Sequence, residues 1–173
     1  RRLPPPDYSC QPNSRQTPAS PNNGEQVTTP TNPPRDLTIA LRLSESNHMD
    51  PGAVIQAHAA HAREHGGNVL FTTGLRIAED KFPIITKAVI MTGDGSVALT
   101  ADVTAVGLNA SMSHSSDYEQ PSQWQPQDKP FALQLANVQQ GSVKRGQYHL
   151  DAQPTMDLLD TFATGQHSLV YCH

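Results

Sequence analysis

Proline is distributed very unevenly along this chain: nine of its fifteen prolines fall within the first 34 residues. The same stretch, RRLPPPDYSC through TPTNPP, holds almost no aliphatic side chains. Such a segment cannot bury enough apolar surface to offset the entropy lost on ordering. Residues 1–35 are therefore expected to be a disordered Pro-rich tail or linker, stiffened locally by polyproline runs. Leu3-Pro4-Pro5-Pro6 is the segment within it that could serve as a polyproline ligand. Residues 36–173 remain as a single globular domain of about 140 residues, long enough to enclose a core. The first residue is Arg rather than Met, so a fused or associated effector domain is a further expectation.

Composition then narrows the function classes. Two cysteines, Cys10 and Cys172, provide neither a disulfide framework nor a zinc ligand set. No apolar run approaches a membrane span and no hydrophobic signal region precedes the tail, so a cytoplasmic setting without membrane contact is expected. From Arg35 onward there are nine Lys and Arg against fourteen Asp and Glu, a net charge of −5. Strong nonspecific binding to nucleic acid needs a basic surface, so a nucleic-acid role here must rest on a local patch.

Hydrophobic period supplies the elements. Leu37, Ile39, Leu41 and Leu43 alternate as in a half-buried strand. Asp50 caps a helix with Pro51 at its first position, and the helix continues through AVIQAHAAHAREH to a left-handed stop at Gly66-Gly67. Val69 to Thr72 is a short strand ending at Thr73-Gly74. Strands at 84–91 and 97–106 flank Thr92-Gly93-Asp94-Gly95-Ser96, whose Asp-Gly pair marks a hairpin. In the second of these strands Val97, Leu99, Ala101, Val103 and Ala105 share a face. Asn109 to Pro130 is a long polar loop containing the only Trp, and loops of that length within a domain are usually functional or disordered. A strand from Phe131 to Val138 and a brief one from Tyr148 to Leu150 follow. A helix from Pro154 to Ala163, with Met156, Leu159 and Phe162 inward, then leads to a last strand at 168–171. The order predicts an α+β fold: a small mixed sheet of six to seven strands, curled or closed into a pseudo-barrel, with two helices.

Several clusters invite chemistry. His58, His61 and His65 lie on one helical stripe, where imidazoles at i and i+4 can hold zinc. A metalloprotease helix has Glu directly after its first His, whereas Ala59 follows His58, so a polar helix face is the plainer reading. Ser113, His114 and Asp117 offer a triad by composition, but triad members meet through folding and no nucleophile elbow is present. Gly93-Asp94-Gly95 lacks the following helix of a phosphate-binding loop. Trp124, Tyr118 and His114 are flat rings in the long loop, suited to stacking on a ligand or to closing one end of the core. Arg76 and the pair Lys144-Arg145 are the basic residues placed to meet a phosphate.

The run Gly67-Asn68-Val69-Leu70-Phe71-Thr72-Thr73-Gly74 resembles the G-x-x-V-L-F-Y-x-T-G strand of EVE and PUA-like domains, with one residue fewer on each side of Val69-Leu70-Phe71. The hairpin after it, a polar loop with Trp, the strand Phe131 to Val138 and the segment Met156 to Tyr171 are similar to that superfamily's later elements. The resemblance implies a PUA-like fold and a binding module that reads a modified base of DNA or RNA, without a cofactor. By position, Thr73 and Gly74 would line the pocket rim and Trp124 would stack, with Tyr118 and His114 nearby in the loop. Two other classes stand beside it: a metal-dependent enzyme built on His58, His61 and His65, and a protein-interaction or assembly domain carried on a Pro-rich linker.

Overall fold

A computed structural model describes residues 36–45, 49–113, 115–123 and 129–173. Its elements follow the order read from the hydrophobic pattern. Strand β1 (Leu37–Arg42) leads to helix α1 (Pro51–Glu64), strand β2 (Val69–Thr73) and a 3₁₀ segment at Glu79–Ile84. Strands β3 (Ile85–Met91), β4 (Ala98–Leu108) and β5 (Phe131–Gly141) come next, then helix α2 (Leu158–Ala163) and strand β6 (Leu169–Cys172). Among the described residues no helix is long and apolar enough to cross a membrane.

Local signals fix most element ends. The Asp50 carboxylate accepts the Gly52 amide at 3.0 Å, and Pro51 occupies the first helical position, where no amide is needed. At the other end of α1 the Gly67 amide donates to the Ala62 carbonyl at 2.7 Å, with φ of 68° at Gly66 and 90° at Gly67. Helix α2 begins at Leu158 rather than Pro154, because Asp157 is the side chain that caps it, accepting from the Leu159 amide at 2.9 Å. Met156 consequently sits before the helix and is 37% exposed instead of facing inward.

The six strands form one mixed sheet in the order β2-β5-β4-β3-β1-β6. Only β1 and β3 run parallel, joined by the crossover through α1 and β2. The sheet is open rather than closed, and β2 and β6 are its edges. Each edge is partly covered by another segment of the chain, which leaves fewer open edge groups to pair with another chain. The Leu70 amide of β2 donates to the Glu119 carbonyl at 3.1 Å, and Leu150 forms a bridge with Cys172 of β6. The expected strand at Tyr148 to Leu150 is reduced to that bridge and another between His149 and Asp157, supported by the reciprocal backbone bonds of His149 with His173 at 3.3 and 3.0 Å.

Core packing lies on both sides of β1, which is buried rather than half-buried. On one face Leu37, Ile39 and Leu41 join Ile55, Ala59 and Ala62 of α1 and the inward residues of the other strands. On the opposite face Ala40, Val89 and Met91 pack against Leu158 and Phe162 of α2, Val143 and Cys172. Strand β4 departs from simple alternation because its pairing with β5 shifts between Thr100 and Asp102 and again between Val103 and Ala105. The first shift places the extra residue in β5, at Asn137 with φ of 52°, and leaves Leu99, Ala101 and Val103 in phase; the second places it in β4, so Val106 reaches the core where Ala105 was expected.

Candidate functional site

The strand run singled out from the sequence ends in a small cleft. At this end of the sheet β1 and β2 finish and β5 and β6 start, and the space between them is about 180 Å³. Val54 of α1 and Phe71 of β2 give it apolar wall, and Thr73, Gly74, Ser44 and Ser168 give it a polar rim. Thr73 is held in place by accepting the Leu75 amide at 3.1 Å on its own hydroxyl. Gly74 is exposed, and a side chain added there would meet no atom within 4 Å.

Two cations line the same cleft. Arg42, at the end of β1, donates to the Phe162 carbonyl at 3.4 Å and through Nη2 to the Gly165 carbonyl at 3.2 Å and Ser168 Oγ at 3.5 Å. These bonds stitch the end of α2 to β1, so Arg42 shapes the wall. Lys129 stands two residues before β5, half-buried, and burial lowers its pKa from the ordinary lysine value. Its backbone carbonyl accepts from Asn109 Nδ2 at 3.1 Å, closing the base of the long loop.

The other nominated residues are distributed more widely. Tyr118 is half-buried over β4, its hydroxyl accepting from Thr104 Oγ1 at 3.1 Å, and it does not line the cleft. Trp124 and His114 lie outside the described residues. Arg76 is exposed just beyond β2. Lys144 and Arg145 occupy a turn, where Arg145 forms a two-pronged pair with Asp160 at 2.6 and 3.0 Å. A larger cleft of about 480 Å³ opens beside α2 and β6, with Leu150, Met156, Val170 and Tyr171 in its lining. None of the residues nominated from the sequence lines it.

The three histidines separate by depth. His58 is 1% exposed, its ring tilted against Phe71 with centroids 5.1 Å apart and its Nδ1 2.7 Å from the Val54 carbonyl. Burial is the main reason its pKa falls to about 4. His61 and His65 lie nearer solvent, with rings stacked 3.9 Å apart at 11°. Desolvation first, and then the neighbouring His65, lower the His61 pKa. A third group joins these two: Glu119, from the loop laid along β2, brings a carboxylate oxygen so that the three potential ligand atoms lie within 4.8 Å of one another.

Arg42, Lys129 and Glu119 were not visible as site residues in the sequence. Arg42 and Lys129 are isolated cations at strand ends, a weak signal, and Glu119 meets the histidines only through the path of the long loop. Searches against protein-family models, curated proteins and solved structures find no match for this chain.

Proposed function

We propose that the domain is a PUA-like, non-catalytic nucleic-acid-binding module that takes one base, modified in its natural ligand, into the cleft at the end of β2. The observation that carries this reading is the meeting of Thr73 and Gly74 with Lys129 in one concave space. Lys129 is where the loop holding Trp124 rejoins the sheet. At about 180 Å³ the space is smaller than the 300–1,000 Å³ typical of drug-sized ligands, which suits a single ring system. Hydroxyls and backbone at the rim supply edge hydrogen bonds and Phe71 and Val54 an apolar wall; Trp124, which lies outside the described residues, is assigned the stacking surface by the sequence resemblance. The sequence resemblance to EVE domains supports the same choice, and a cytoplasmic setting belongs to the proposal.

The test is a titration of single-stranded oligonucleotides, with modified and unmodified bases, followed by Trp fluorescence. Stacking on an indole contributes roughly 1–3 kcal/mol, so Trp124→Ala should weaken binding by about five- to 150-fold. Gly74→Leu provides a second variant, because Gly74 lines the cleft and a Cβ added there meets no atom within 4 Å, so the fold should tolerate it. It should block the cleft while leaving thermal stability unchanged. Binding by both variants as tightly as by the parent would reject base reading and favour a protein-interaction domain.

A further inference from the structure

We propose that His61, His65 and Glu119 form a binding site for one divalent transition-metal ion of the zinc class, with its remaining position open to water. This inference is independent of base reading, since it concerns a different side-chain cluster. Among the described residues this is the one place where three His, Cys, Asp or Glu side chains converge in this way.

Three features make the cluster more than two surface histidines near an acid. The first is the tautomer of His65. Its Nδ1 lies 2.8 Å from the His61 carbonyl oxygen, which can only accept, so Nδ1 carries the proton and Nε2 keeps its lone pair. A backbone carbonyl in that role is a common outer partner of metal-binding histidines. The second is His61 Nε2, which is shielded from solvent and has no hydrogen-bond partner among the described residues. A buried imidazole nitrogen without a partner forfeits stabilisation that a metal ion would restore.

The third feature is that Glu119 is held in place. Its carbonyl takes the Leu70 amide at 3.1 Å, and the next side chain, Gln120, donates to Thr72 Oγ1 at 3.2 Å. Pro121 beyond it is buried. The carboxylate is thus delivered from a segment pinned to the sheet edge, opposite a helix that is itself packed on the core. Tetrahedral coordination at 2.0–2.2 Å needs ligand atoms about 3.3 Å apart, so the present spacing of up to 4.8 Å closes by roughly 1.5 Å. Closing that distance requires the side chains of Glu119 and His65 to turn inward, and both are exposed, which leaves room for that turn.

Ligand chemistry selects the ion. Two imidazoles and one carboxylate, without thiolate, suit zinc, cobalt or nickel, whereas magnesium and calcium prefer all-oxygen sites. A metal here would also clamp the long loop to α1.

The experiment uses the full chain, stripped with chelator and then titrated with zinc alone and, separately, with Co(II). About one equivalent of zinc should bind, with a rise in thermal midpoint at saturation, and Co(II) should give the visible absorption of a four- or five-coordinate ion. His65→Ala truncates an exposed side chain and Glu119→Gln exchanges an exposed carboxylate for an amide of the same shape, so both should fold as the parent does in the absence of metal. Each should weaken zinc binding by at least about tenfold and abolish the thermal shift. A parent that takes up less than about a tenth of an equivalent, or variants that bind zinc as well as the parent, would overturn the site. Uptake through Cys10, Cys172 or the His173 and Asp151 pair belongs to that second outcome, since neither variant touches those groups.

Discussion

His58 shows how one side chain can be read correctly by spacing and still play a different part. It belongs to the same helical stripe as His61 and His65, yet the stripe emerges from the core along α1, so His58 is buried, His61 half-buried and His65 exposed. Burial disfavours the imidazolium, and the folded-state pKa falls from 6.5 to about 4. The sign follows from proton uptake. Above pH 6.5 both folded and unfolded states hold His58 neutral, and the group has no effect on stability. Between pH 6.5 and 4 the unfolded chain binds a proton that the folded one refuses, so stability is lost as the pH falls through that window. One pKa unit corresponds to 1.36 kcal/mol, which gives a loss of about 2–3 kcal/mol at pH 4.5. His58→Leu should remove this component while keeping an apolar fill against Phe71. Urea unfolding of parent and variant at pH 7 and 4.5 measures the difference. Parallel pH dependences would show that some other group governs acid sensitivity.

At the scale of elements, the turn between β3 and β4 concentrates several constraints in one residue. Gly95 has a φ of 72°, and its amide donates to the Thr92 carbonyl at 2.9 Å. Asp94, the other half of the Asp-Gly signal, does not adopt positive φ. Its carboxylate instead gathers the Ser96 amide at 3.0 Å and the hydroxyls of Ser96 and Thr92. Those bonds, the Ser96 amide foremost, hold its pKa down at about 2. A Cβ on Gly95 would sit 2.6 Å from Leu159 Cδ2 and 3.1 Å from the Val143 carbonyl. Gly95→Ala therefore combines left-handed backbone strain with a clash against α2, and should cost about 2–3 kcal/mol in chemical denaturation. A loss below about 0.5 kcal/mol would mean that the turn relaxes to another form. The hairpin, α1 and the strand phases were legible in the sequence because period, caps and Asp-Gly are local signals. The bulges between β4 and β5, the start of α2 at Leu158 and the bridging role of residues 148–150 were not, because each is decided by what lies across the sheet. The site divides in the same way: Thr73 and Gly74 could be nominated from a strand and its glycine, but Lys129 and Glu119 depend on where the long loop is laid.

For the whole molecule, the distribution of charge decides how nucleic acid could be held. The segment from Arg35 onward has nine basic and fourteen acidic residues. Much of the basic charge is already engaged: Lys87 pairs with Asp102, Arg145 with Asp160 and Lys81 with Asp80, while Arg42 is directed at backbone carbonyls. Of the three cations nominated for phosphate, Arg76 and Lys144 are left for that role. Each phosphate neutralised on a single strand contributes about −0.7 to the slope of log affinity against log salt. Two contacts give a slope near −1.4, or a loss of roughly sevenfold between 50 and 200 mM salt, where six to ten contacts on duplex would cost 10³ to 10⁵. Affinity should therefore come mainly from the cleft and change little with salt. Repeating the oligonucleotide titration at both salt concentrations checks this directly. A loss of about a hundredfold or more would place the electrostatic contacts elsewhere. Arg1, Arg2 and Arg15 in the Pro-rich segment would then be the basic residues to examine, and removing residues 1–35 should restore the shallow slope if they supply those contacts.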